Sequence, residues 1–173
     1  MTIQSRVTLW VLFFAMLVLM GILWNYAPPE GWLAFEFPAW TGVDPAAWSI
    51  DVREGVFFSL GLDFLFIFVY ASWFTVLGRS IGARVPAMDV CRNCLPKLTL
   101  WIWAAAAADA LENWGLHRWL REGEGWLLTI SILAAIKWLF VTLVAILLVA
   151  GWLRAKKHER AARETAAGRR ETT

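Results

Sequence analysis

LTLWIWAAAAADALENWGL, residues 98–116, is the stretch on which the fold turns. It is close to the ~20 residues a helix needs to cross roughly 30 Å of hydrocarbon. It also carries Asp109, Glu112 and Asn113 directly after the alanines of 104–108. An ionisable group near the centre of a span costs about 2.5 to 3.5 kcal/mol on insertion scales. Such a segment crosses a membrane only when other helices shield its polar face, and its small residues allow the close backbone approach by which helices associate in lipid.

The rest of the chain supplies those helices. Three further apolar runs, 7–24, 55–77 and 126–153, are long enough to span. The composition agrees, being 60% hydrophobic and 17% charged, whereas soluble domains are about one half and one quarter. Thirteen Trp stand against two Tyr, and Trp rings favour the water–lipid boundary, so they are expected near helix ends. The sequence therefore predicts an all-α fold: a polytopic membrane protein built as a four-transmembrane-helix bundle over 1–153, followed by a basic cytoplasmic tail at 154–173. The first run is read as a retained helix, because it is longer than a secretory h-region and Trp24-Asn25-Tyr26-Ala27-Pro28-Pro29 lacks a small-residue cleavage pattern. The fourth run exceeds the need and is expected to project beyond the lipid, with Gly168 as a stop.

Loop charge sets the expected orientation. The connection 78–97 holds Arg79, Arg84, Arg92 and Lys97, and the tail holds seven more Lys and Arg residues. The connection 25–54 has Arg53 alone against five acidic residues, and 117–125 has only Arg118 and Arg121. Basic loops stay inside. Both termini are thus expected in the cytoplasm of a bacterial cell, N-in and C-in across the inner (plasma) membrane. The first outer connection carries Trp32, Trp40 and Trp48 and is too apolar for a free loop. Asp44-Pro45 pairs an N-cap acceptor with a proline at the first helical position, predicting a short interfacial helix over 45–50. Asp51 with Glu54 resembles a capping box at the start of the second span.

Four ionisable residues fall within spans: Asp63, Asp109, Glu112 and Lys137. At ~1.5 Å per residue, Asp63, Asp109 and Lys137 lie about 12 to 18 Å below the outer ends of their helices. Asp109, Glu112 and Asn113 share one face at i, i+3 and i+4, while Ser59, Asp63 and Tyr70 share another. Side chains lean toward their helix N-terminus, so Lys137 on a descending helix and Asp109 on an ascending one approach each other. The predicted intramembrane polar cluster is Asp63, Tyr70, Asp109, Glu112, Asn113 and Lys137, with Glu112 also within reach of interfacial water or Arg118. Three carboxylates around one lysine do not all stay charged cheaply, so one is expected to hold its proton. Two readings stand side by side: a buried network that fixes helix order, and a proton-accepting or ligand-binding pocket open to the outer side.

The same residues carry a resemblance. LDFLFIFVYA at 62–71 and ADALEN at 108–113 are similar to paired motifs of uncharacterised bacterial four-helix inner-membrane proteins. The resemblance covers the second and third spans and implies the fold but no activity, cofactor or residue role.

Other chemistries find little footing. Cys91-Arg92-Asn93-Cys94 is a CxxC with basic neighbours that favour thiolate. It lies on the predicted cytoplasmic side, whereas four-helix quinone-coupled disulfide oxidases present their cysteine pairs outside. As metal ligands, Cys91 and Cys94 need two more donors, and no metal or other cofactor is expected. His117 and His158 lie outside span interiors, so no axial haem pair is available. No nucleophile–base set or phosphate loop is evident, and catalysis is not the expected role. The +2 net charge with basic residues beside apolar runs excludes nucleic acid as a partner. The expected partners are the bilayer, anionic lipid at the tail, and either another protein or a second copy. The leading functional expectation is a non-enzymatic accessory, assembly or structural component of a membrane complex; the alternative is a small transporter or proton-coupled binding protein using the Asp/Glu/Lys cluster.

Overall fold

The computed structural model describes residues 3–85, 90–123 and 126–171, with side chains described over 5–85, 97–123 and 126–165. Among these residues all regular structure is helical. A long α1 (Ile3–Asn25) is followed by the short α2 (Trp32–Glu36) and α3 (Pro38–Thr41), a 3-10 turn at Pro45–Ala47, and then the long α4 (Ile50–Gly82), α5 (Val90–Glu122) and α6 (Leu127–Glu171). Three helical stretches are long and apolar enough to cross a membrane: Ser5–Asn25, Ile50–Gly82 and Leu127–Thr165. α5 matches α4 in length, at 33 residues each, but is more polar. As a fourth span it would need shielding by the others.

The packing meets that need. α5 lies between α4 and α6, which also touch each other, and α1 packs mainly on α4. Along α5 the inward positions are Ile102, Ala105, Ala106, Ala108, Asp109, Glu112, Asn113 and Leu116, whereas Leu100, Trp103, Leu111 and Trp114 face outward. The spacing of the inward set follows the helical repeat. Two apolar layers result. One, toward the tail, joins Ile67, Ala71, Ile102, Ala106, Val144 and Leu148. The other, at the end carrying the 26–49 connection, joins Phe35, Val56, Leu60, Leu116, Trp119 and Ile130. Asp63, Asp109, Glu112 and Lys137 occupy the sequence positions between these layers on α4, α5 and α6.

The 26–49 connection folds against the bundle instead of looping free. Phe35 is fully buried and stacks on Trp119 with ring centroids 5.8 Å apart. The Trp32 indole N–H donates to Leu23 O at 3.3 Å, and Ala39 N donates to Ser131 Oγ at 3.3 Å. Asp44 does cap a helical turn, accepting from Ala46 N at 3.0 Å, but the turn stops at Ala47. The cap of α4 is Ser49, which accepts from Val52 N at 3.4 Å, so Asp51 lies inside the first turn and the expected capping pair does not form. At the other end α6 runs past Gly168 to Glu171. A glycine costs a helix only about 1 kcal/mol relative to alanine, and Ala, Arg and Glu around it favour continuation. At ~1.5 Å per residue, 45 residues extend well beyond a ~30 Å slab.

Gly115 sets the approach of α5 to α6. A Cβ there would lie 2.8 Å from Ile130 Cγ1, closer than atoms tolerate, and Ile130 is itself buried. Gly115→Val is expected to overpack this contact and cost about 1 to 3 kcal/mol, lowering the melting temperature in detergent. Gly21→Ala on α1, where an added Cβ meets nothing within 4 Å, serves as the control and should leave melting unchanged or raise it.

Candidate functional site

Lys137 projects from α6 into the layer between the two apolar clusters and is 6% exposed. Its ammonium lies 2.9 Å from Glu36 Oε1, 3.1 Å from Asp109 Oδ1 and 2.9 Å from Glu112 Oε2. Three elements thus converge on one nitrogen: α2, α5 and α6. An ammonium has three protons to donate and no acceptor role, so three carboxylates match its capacity.

Each carboxylate is held differently. Asp109 accepts from Lys137 through Oδ1 and from the Tyr70 hydroxyl through Oδ2 at 3.0 Å, which brings α4 into the site. Glu36 accepts from Lys137 through Oε1 and from the Trp138 indole N–H through Oε2 at 2.7 Å. Glu112 is 0% exposed and meets Lys137 as a charge contact without an aligned hydrogen bond. Its Oε1 faces no donor among the described residues. Asp63 does not reach Lys137; its Oδ2 accepts from the Asn113 amide instead. Asp63 is therefore linked to the lysine site through α5, where Asp109, Glu112 and Asn113 share a face.

Asp63, Tyr70, Asp109, Glu112, Asn113 and Lys137 all lie in this one region. Ser59 does not join them: its hydroxyl donates to Val56 O one turn back along α4. Glu112 turns inward to Lys137 and not toward Arg118, whose guanidinium pairs with Glu122 at 2.7 Å. Glu36 is the member that the sequence reading lacks. Its signal is a single acid enclosed by aromatic and apolar residues in Leu33-Ala34-Phe35-Glu36-Phe37-Pro38. A five-residue helix offers too little periodicity to show which way that acid points. The side chains of Cys91 and Cys94 lie outside the described residues, and among those described no group of three or more His, Cys, Asp and Glu residues is arranged to hold a metal ion.

A cleft of about 230 Å³ opens onto the cluster, lined by the polar Glu36, Asp63, Tyr70, Asp109 and Lys137 and by the apolar Met16, Phe66 and Val141. It is smaller than the ~300 Å³ at which pockets begin to hold drug-sized ligands. At ~30 Å³ per molecule it has room for several waters. The arrangement suits acid–base exchange with water or a very small ligand better than a bulky substrate. Comparison of the chain with protein-family models, curated proteins and solved structures finds no match.

Removing one member of a buried charge group leaves the others without compensation and costs about 3 to 5 kcal/mol, whereas replacing the charged set by neutral groups can be close to neutral. Lys137→Met is therefore expected to lower the melting temperature in detergent strongly. Lys137→Met combined with Asp109→Asn should recover part of the loss. Wild-type melting of the single variant would refute the ion-pair arrangement.

Proposed function

We propose that this chain is an integral protein of a bacterial inner membrane, a four-helix bundle with both ends and the basic tail in the cytoplasm. In this reading it acts as a small proton-coupled binding protein or transporter. α5 is the third span in chain order, shielded by α4 and α6, and the 26–49 connection lies at the outer interface. The loop charges support that orientation: basic residues gather on the 78–97 connection and the tail, acidic ones on the 25–54 connection. The basic, exposed stretch of α6 from Lys156 to Arg163 then meets anionic lipid headgroups.

The observation that carries the functional reading is the cleft. A network that served only to fix helix order needs no access, yet the cluster's carboxylates, lysine and tyrosine line an opening with room for water. Three carboxyls, Glu36, Asp109 and Glu112, meet one lysine, and Asp63 lies beside them on Asn113, so the site has acidic groups to spare for taking up protons. Glu36 stands at the mouth, with a side chain 16% exposed, while Glu112 is fully enclosed. Water would exchange protons first at Glu36, with the Lys137 ammonium and Asp109 next in line.

The accessory-subunit reading keeps one observation in its favour. α1 packs mainly on α4 and leaves Trp10, Val11, Phe14 and Val18 uncovered, a surface suited to lipid or to another membrane protein.

Infrared difference spectroscopy of the protein in lipid separates the two readings. Carboxyl bands that change reversibly with external pH, shift in D2O and disappear piecewise in Glu36→Gln, Asp63→Asn and Asp109→Asn variants are expected. A spectrum with no pH-responsive carboxyl band would leave the cluster a closed structural network.

A further inference from the structure

A second concavity lies away from the lysine cluster, on the α4–α5 seam at the end of the helices that carries the 26–49 connection. It is a groove of about 760 Å³. Its head is polar, formed by Arg53, Glu54 and His117, and its body is apolar, formed by Phe57, Phe58, Gly61 and Leu62. From Glu54 to Leu62 the groove follows α4 for about 12 Å, at ~1.5 Å per residue. A site that is polar at one end and greasy along the rest fits an amphiphile lying parallel to the helix.

The head is fixed in place by the fold. The Arg53 guanidinium donates to Leu120 O at 2.9 Å, closing the last turns of α5 while leaving further N–H groups for another acceptor. The His117 ring packs on Phe57 with centroids 3.9 Å apart. Glu54 makes no hydrogen bond or ion pair within the described residues. Basic and acidic groups therefore stand side by side at one opening. A purely anionic headgroup would satisfy Arg53 and set its charge against Glu54. A zwitterionic headgroup satisfies both.

We propose that the α4–α5 groove binds one phospholipid with a zwitterionic, primary-amine headgroup, its phosphate on Arg53 and His117, its ammonium on Glu54, and an acyl chain along Phe57, Phe58 and Gly61. The proposal rests on the membrane arrangement above and not on proton exchange at Lys137. Gly61 gives a direct probe, since a Cβ added there meets nothing within 4 Å. A side chain at that position starts into the groove with no protein atom against its Cβ.

The test is native mass spectrometry of the full chain in mild detergent, titrated with phosphatidylethanolamine or phosphatidylglycerol of identical acyl chains. Wild type is expected to retain one phosphatidylethanolamine in preference to phosphatidylglycerol. Gly61→Phe and Gly61→Leu should abolish that adduct with melting temperatures unchanged. Glu54→Gln should weaken it about tenfold, as for loss of a charge-assisted contact, and remove the preference between the two lipids. Equal retention of both lipids by wild type, undiminished binding in folded Gly61 variants, or unaltered selectivity in Glu54→Gln would each overturn the proposal.

Discussion

A lysine set among helices apolar enough to cross a membrane has to find its counter-charges within the protein. Lys137 does so by drawing Glu36, Asp109 and Glu112 to within 2.9 to 3.1 Å of one nitrogen. Much of the architecture is arranged around that requirement. α5 presents its polar face to α6 because the ammonium is there. α4 contributes Tyr70 and Asp63 to the same layer, and α2 is drawn over the opening by Glu36. Asp109 alone bridges two helices, accepting from Lys137 on α6 and from Tyr70 on α4.

The apolar layers on either side make this polar one affordable in energetic terms. Ile102, Ala106 and Val144 close it toward the tail; Phe35, Leu116 and Ile130 close it toward the connection. In a low-dielectric setting charge contacts strengthen, but so does the penalty for any group left unpaired. Glu112 Oε1, enclosed and with no donor among the described residues, marks where the arrangement is least satisfied. The cleft beside it has room for water next to Glu36, Asp109 and Lys137. Stability and the proposed exchange chemistry thus use the same residues.

How much of this was legible in the sequence depends on the range of each signal. Asp109, Glu112 and Asn113 declare a shared face through helical spacing, and Lys137 stands out as the lone base in an apolar run. Their meeting follows from helix direction and depth. The pairing of Asp63 with Asn113 in preference to Lys137 does not, because it depends on rotations about helix axes that spacing leaves free. Glu36 was hidden for a different reason: α2 has five residues, and its placement rests on contacts distant in sequence, the ion pair of Glu36 with Lys137 and the ring of Phe35 on Trp119. The cap of α4 shows the same limit at short range. Ser49, Asp51 and Glu54 all have capping chemistry, and it is Ser49 that accepts from Val52 N. Apolarity identifies three helices long enough to cross a membrane, and α5, which carries Asp109 and Glu112 on its inward face, is not among them.

The central claim is that Lys137 ties the connection to the long helices through Glu36. Hydrogen–deuterium exchange of the detergent-solubilised protein addresses it most directly, comparing wild type with Lys137→Met peptide by peptide. Exchange should accelerate across 32–41 and around 109–113 in the variant, while 10–20 of α1, which forms no hydrogen bond or ion pair with Lys137 among the described residues, stays at its wild-type rate. Unchanged protection across 32–41 would contradict the account, showing that aromatic packing at Phe35 holds the connection without the lysine.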